Sequence, residues 1–202
     1  MNIEILDCYY CKSKKYTFFT EENNFHLVKC SQCGLLYVKN RPSNENISSA
    51  SQQGKHGNEI NQFDVTGKFK KHKISQYLDY LKDIFPDGLI NKKTWLDIGC
   101  GHGEFMVAIN KFGLDLVKVV GSDPNIYKQE SARKRGLDVN FIEIESHKKR
   151  YDVISILNVY SHLPDPPEFL KSLKKLLNPK GELILETGDS SGFSEYDMPR
   201  PL

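Results

Sequence analysis

From Lys93 onward, short apolar runs alternate with segments whose apolar residues recur three and four positions apart. "TWLDIG" reads as an apolar strand. "GEFMVAINKFG" reads as a helix that buries Phe105, Ala108, Ile109 and Phe112, with Gly113 past its end as a cap. "DLVKVVGSD" predicts a second strand, and "PNIYKQESARKRG" a helix begun by Pro124 and stopped by Gly136. "LDVNFIEI" and "YDVISILNV" predict the third and fourth strands. "PPEFLKSLKKLLN" predicts a helix capped by Asp165, with Phe169, Leu170, Leu173, Leu176 and Leu177 turned inward. "KGELILET" completes the series as a fifth strand. Strands that alternate with helices in this way predict an α/β fold, a parallel sheet with helices on both faces.

Upstream the pattern changes twice. In "KFKKHKISQYLDYLKDIF" the residues Ile74, Tyr77, Leu78, Leu81, Ile84 and Phe85 share one helical face, and "PDG" ends the helix. Lys68, Lys70, Lys71 and Lys73 either form a solvated face or touch an anionic substrate. Residues 42–66 are polar, rich in serine, asparagine, glutamine and glycine, and read as a linker between residues 1–41 and a domain over 67–202.

Residues 1–41 carry four of the five cysteines as "CYYC" and "CSQC": Cys8, Cys11, Cys30 and Cys33, with eighteen residues between the pairs. This spacing points to a four-thiolate zinc site, each short loop aiming two sulfurs at one ion. Gly34 stands where such a knuckle needs a positive φ. "YTFFT", "FHLVKC" and "LLYV" supply three short strands, so the segment reads as a zinc ribbon too small to fold on an apolar core alone. His26 is a spare ligand type that four thiolates make unnecessary. Structural zinc sites are closed, so no catalysis is assigned there.

The chain has 202 residues, 39% of them hydrophobic, enough for one domain and a small appendage. Its net charge of +2 is too small to argue for a nucleic-acid partner. No run approaches 18 apolar residues, and the N-terminus lacks a basic stretch followed by an apolar one. The expectation is a cytoplasmic protein with no membrane partner.

The glycine loop in "TWLDIGCGHGEF" narrows the chemistry. A dinucleotide fingerprint needs G-x-G-x-x-G, and Glu104 stands at its third glycine. A phosphate-binding loop needs a Gly-Lys-Ser/Thr ending, which is absent. What stands is Asp97, Gly99, Gly101 and Gly103, D-x-G-x-G-x-G, at the carboxyl end of a strand, where open parallel sheets bind ligands. Asp123 closes the next strand 26 residues after Asp97. A carboxylate there can accept from both ribose hydroxyls of a nucleoside; alternatively it makes an Asx turn or an N-cap. Cys100 reads as a small, buried, inert side chain.

This loop resembles motif I of the class I S-adenosylmethionine-dependent methyltransferases. "GSD" at Asp123 and "SILNVYSHLPDPPEFL" agree with the family's second and fourth strand ends, over about Lys93 to Thr187. The resemblance implies a Rossmann-like doubly wound sheet behind the ribbon and S-adenosylmethionine as cofactor. It implies that Gly99, Cys100, Gly101 and Gly103 lie against the methionine part, and that Asp97 faces the α-amino group or braces the loop. It implies that Asp123 takes the ribose hydroxyls, Pro124 lies against adenine and Asn158 touches the methionine moiety. Glu143 and Glu145 are both open as the adenine contact. The family's frequent glutamate before the histidine is Ser161 here, and "ESHKKR" leaves no room for a full crossover helix.

Ribbon and loop together resemble bacterial methyltransferases of surface-polysaccharide and natural-product pathways. The sugar C-methyltransferases among them are about twice this length. The expected acceptor is a small molecule, methylated on O, N or C. His162 is the candidate base, and its alternative is a loop histidine bonding to backbone. His102 is expected to pack on the cofactor. The rivals are an RNA methyltransferase gripping phosphates with Lys12, Lys14, Lys15 and Lys29, and a non-catalytic binding protein. The family's sheet has seven strands, while "TGDSSGFSEYDMPRPL" after the fifth shows no apolar alternation. The last two strands are therefore expected to be missing, leaving an open edge for a second copy or a partner chain to cover.

Overall fold

The computed structural model describes residues 2–57, 62–64 and 66–188. In the N-terminal unit, which ends at Ser48, β1 (Ile3–Ile5) pairs antiparallel with β5 (Asn40–Pro42). Between them β2 (Tyr16–Glu22), β3 (Phe25–Cys30) and β4 (Leu36–Val38) form an antiparallel sheet, the three strands expected from the alternation around the cysteines. Its buried core is small: Cys8, Val28, Cys30 and Tyr37, with Leu6, Tyr9 and Leu35 half-buried around them. Polar residues 42–66, expected as a linker, contain a helix, α1 (Asn44–Gln53), and a hairpin of β6 (Lys55–Gly57) and β7 (Gln62–Asp64). Helix α1 buries none of its residues, which is why no apolar stripe announced it.

The second unit, Ser49–Thr187, is built on a Rossmann-like sheet. Along the chain run α2 (Lys73–Ile84), β8 (Thr94–Ile98), α3 (Glu104–Phe112), β9 (Lys118–Ser122), α4 (Ile126–Arg133), β10 (Val139–Asn140), β11 (Tyr151–Leu157), α5 (Pro166–Lys175) and β12 (Leu177–Glu186). The five strands lie in the order β10-β9-β8-β11-β12, all parallel. The order reverses direction beside β8, which puts the ends of β8, β9 and β11 around one crevice.

Alternation along the strands divides the core in two. One face carries Trp95, Val119, Val139, Val153 and Ile184, covered by Leu81 of α2, Phe105, Met106 and Ile109 of α3 and Ala132 of α4. The other carries Leu96, Ile98, Ile154 and Ile156, covered by Leu173 and Leu176 from α5 and its end. Rings interlock on the first face: Trp95 meets Phe85 and Phe105 edge-to-face at 5.9 and 6.0 Å. At the amino end of the sheet, Asp152 of β11 accepts hydrogen bonds from the Lys93 and Thr94 N–H groups, the Thr94 hydroxyl and the Asn178 amide. One carboxylate thus ties the entries of β8, β11 and β12.

Two expected boundaries move. The third strand keeps only Val139–Asn140, because the Ile142 N–H is taken by the Ser122 hydroxyl and the chain leaves the sheet with Phe141 exposed. Helix α4 starts at Ile126 and not at Pro124: the Asn125 side chain accepts from the Lys128 N–H and is the cap. Helix α3 ends at Phe112 with Gly113 as its C-cap, as expected, and the left-handed turn beyond it falls on Leu114 (φ 52) and Asp115 (φ 57). The Asp165 cap and the absence of a helix over 141–150 are as expected. Among the described residues β12 stands at the sheet edge; the expectation for residues 189–202 lies outside them.

Candidate functional site

Strand β8 leaves the sheet at Ile98 and runs into three glycines, all left-handed: Gly99 (φ 70), Gly101 (φ 57) and Gly103 (φ 91). L-residues with a Cβ rarely adopt such angles. At Gly99 a Cβ would also overlap the Val159 side chain from the loop after β11. At Gly101 a Cβ would meet nothing within 4 Å, so the space in front of that backbone is open. The left-handed turn accounts for the glycine at 101, and the open backbone in front of it fits the close approach of a ligand. Cys100 is buried over Gly121 of β9, where a Cβ would strike its Sγ. Burial, then the nearby Asp97 and Asp123 charges, pushes its thiol up, the state of an inert side chain.

Two carboxylates flank the loop. Asp97, 3% exposed, sits on β8 opposite Ser155 of β11. The Ser155 hydroxyl donates to Asp97 Oδ1 at 2.6 Å and accepts from the Trp95 indole N–H at 2.9 Å. Burial pushes the Asp97 carboxyl up to about 7; the Ser155 bond opposes this and the Asp123 charge adds to it. Asp123, 5% exposed, follows β9. Its Oδ2 accepts from the Gly101 N–H at 2.9 Å and its Oδ1 from the Asn125 N–H at 2.8 Å. The second bond is the Asx turn that the sequence left open, and the first bolts the glycine loop to the next strand end.

Gly54 and Thr66 reach this bolt. The Thr66 carbonyl accepts from His102 Nε2 at 2.9 Å, so Nε2 carries a proton. His102 is 8% exposed, and its Nδ1 is buried without a partner among the described residues. The Asn125 amide donates to the Thr66 hydroxyl at 3.4 Å, and a Cβ on Gly54 would overlap both side chains.

At the end of β11, Asn158 takes a left-handed φ of 56 and is exposed. Its N–H donates to the Glu186 carbonyl at 2.9 Å and its amide to Glu186 Oε1 at 2.8 Å, joining the ends of β11 and β12. His162 is exposed on the short 3-10 turn Tyr160–His162 that follows; its N–H bonds the Val159 carbonyl. Pro124 is half-buried beside Asp123, and Glu143 and Glu145 are exposed on the loop after β10. The strand ends therefore gather Asp97, Gly99, Cys100, Gly101, Gly103, Asp123 and Asn158. Ser155, Thr66 and Asn125 were not singled out in the sequence. For Ser155 the signal was present: a serine inside the apolar run "YDVISILNV".

In the N-terminal unit the sulfurs of Cys8, Cys11, Cys30 and Cys33 all lie within 4.8 Å of one another. Cys8 and Cys33 are 3.6 Å apart and Cys11 and Cys30 3.5 Å. Tetrahedral Zn–S bonds of about 2.3 Å separate sulfurs by roughly 3.8 Å, so the cluster fits a zinc ribbon. The two knuckles match: the Lys12 N–H bonds the Cys8 carbonyl and the Gly34 N–H the Cys30 carbonyl. Both positions are left-handed, Lys12 at φ 59 and Gly34 at φ 77. The Cys33 N–H, helped by that of Gln32, holds the Cys30 thiol down at about 6 against burial. Among the described residues no helix is long and apolar enough to cross a membrane.

Residues 69–200 match a family model described as a methyltransferase domain. The ubiquinone biosynthesis O-methyltransferase of Proteus mirabilis is 31% identical over 134 residues, covering 62% of this chain and 54% of that protein. The enzyme of the same name from Actinobacillus pleuropneumoniae is 30% identical over 138 residues, 62% of this chain and 58% of its own length. The chain spans about half the length of the curated relatives it matches. Among solved structures, the plantazolicin methyltransferase BpumL, in complex with a monoazolic desmethylPZN analogue and SAH, is 26% identical. That match covers 54% of this chain and 44% of BpumL, at a TM-score of 0.45.

Proposed function

Because the chain belongs to the methyltransferase-domain family, we propose that it transfers a methyl group from S-adenosylmethionine to an O, N or C atom of a small-molecule acceptor. The observation that carries the reading is the left-handed Gly101, open in front and bolted behind to Asp123. The cofactor supplies an electrophilic methyl on a sulfonium, so the protein's part is binding, alignment and exclusion of water.

The backbone of Gly99, Cys100, Gly101 and Gly103 takes the methionine part, and Asp97 receives the α-ammonium. Asp123 keeps lone pairs beyond its two backbone bonds for the ribose hydroxyls. Pro124 would lie against adenine, and Glu143 or Glu145, both exposed on the loop after β10, would meet its amine. Asn158 holds the approach from β11. His162, whose ring takes no hydrogen bond among the described residues, is the group free to remove a proton from the acceptor. In the N-terminal unit Cys8, Cys11, Cys30 and Cys33 hold a structural zinc. Single-turnover transfer of labelled methyl to a panel of small hydroxyl, amine and carbon acids tests the reading. Transfer to at least one acceptor is expected, falling at least about 100-fold in His162→Ala, the low end for a general base. Bound cofactor with no transfer to any acceptor would contradict it.

A further inference from the structure

The buried polar row under the glycine loop has a direction. An indole N–H can only donate. Trp95 therefore occupies an acceptor position on Ser155 Oγ, at 2.9 Å, and the single hydroxyl proton of Ser155 is left to point at Asp97 Oδ1, at 2.6 Å. Ser155 is fully buried, so no water competes for either bond. Asp97 Oδ2 takes no hydrogen bond among the described residues. We infer that Ser155 is the positioning residue of the cofactor site: its hydroxyl, polarised by the Trp95 indole, holds Asp97 Oδ1 in place and favours the carboxylate that receives the cofactor's ammonium.

Without this donor little else favours the charged form. The groups that act on Asp97 from the surrounding elements are anionic or neutral. Asp123 faces it from the end of β9 and raises its proton affinity, and Cys100 in the loop is a neutral thiol. Tyr77 of α2 lies within the field of Asp97, Glu104 of α3 and Glu186 of β12. A hydrogen bond to the charged form is the effect that opposes burial here. A serine within a buried apolar strand, otherwise a cost, is accounted for by this role.

The inference rests on the S-adenosylmethionine reading, and its test separates the two. A proton and an ammonium compete for the same carboxylate. Affinity for SAH, which keeps the ammonium, should be full above about pH 7 and fall as the pH drops below it. In Ser155→Ala the Asp97 midpoint, read by carboxyl-carbon NMR of the free protein, should rise by about one pH unit, a tenfold change in ionisation. SAH affinity at pH 7 should fall by up to about tenfold and recover above roughly pH 8.5. Ser155→Cys keeps the shape with a weaker donor, so its midpoint should move in the same direction by less. A merely structural role would lower affinity by one factor at every pH. An unmoved Asp97 midpoint in both variants, with SAH still bound, overturns the inference alone. No SAH binding by the unaltered chain at any pH overturns the cofactor reading and the inference with it.

Discussion

The two units solve the problem of stability by different means. In the N-terminal unit four buried residues make the core, and two of them are the metal-type ligands Cys8 and Cys30. In the second unit both faces of a parallel sheet are covered, and Trp95, Leu81, Leu96, Met106, Ile109, Ile154, Ile156 and Leu173 are fully buried. A unit of roughly 40 residues buries too little apolar surface to hold itself, whereas the sheet's apolar layers suffice without a cofactor. The same contrast runs through their polar sites. The ribbon's four sulfurs converge on one another as a complete four-donor set, while the glycine loop leaves open space in front of Gly101. A closed site fits structure, and an open one fits a ligand that comes and goes.

That comparison breaks most easily at the metal. Removing the proposed zinc by chelation, or Cys8→Ser, should unfold the ribbon, since structural zinc contributes about 10–16 kcal/mol in small zinc modules. SAH binding by the sheet unit should stay within about twofold, far under the tenfold that 1.4 kcal/mol represents. Metal analysis, circular dichroism and calorimetry read the three quantities. No bound zinc in the purified protein, or loss of SAH binding on chelation, would erase the distinction. The next largest effect comes from the opposite side. Trp95→Ala removes a fully buried ring and should cost about 3–5 kcal/mol in denaturant unfolding of the sheet unit, leaving the zinc content unchanged. It also frees the Ser155 hydroxyl, so the loss should exceed that of an isolated core ring.

Legibility followed the same division. The convergence of the four cysteines was readable because spacing alone aims the sulfurs, and Asp165 because a cap followed by Pro166 is a local signal. The succession of strands and helices was readable because apolar runs alternated with helical periods. Lys12 was not: it adopts the angle that the other knuckle gives to Gly34, and no glycine marks it. Helix α1 was not, because a helix that buries nothing has no stripe. The contact of Thr66 with His102 was not, because it joins residues 36 apart in sequence through a backbone carbonyl, which any residue supplies. Asp123 stood out in the sequence at the end of "GSD", but its two bonds to the Gly101 and Asn125 N–H groups depend on the loop's left-handed turns.

The central claim is that the open glycine loop and Asp123 together hold S-adenosylmethionine, and titration calorimetry with SAH tests it most directly. The unaltered chain should bind SAH at one site and no nicotinamide dinucleotide. Asp123→Ala should weaken SAH by about 1.5–3 kcal/mol, the scale for hydrogen bonds to a charged group, or roughly 10- to 150-fold. Tight binding of a nicotinamide dinucleotide, or SAH affinity unchanged in Asp123→Ala, would contradict the account.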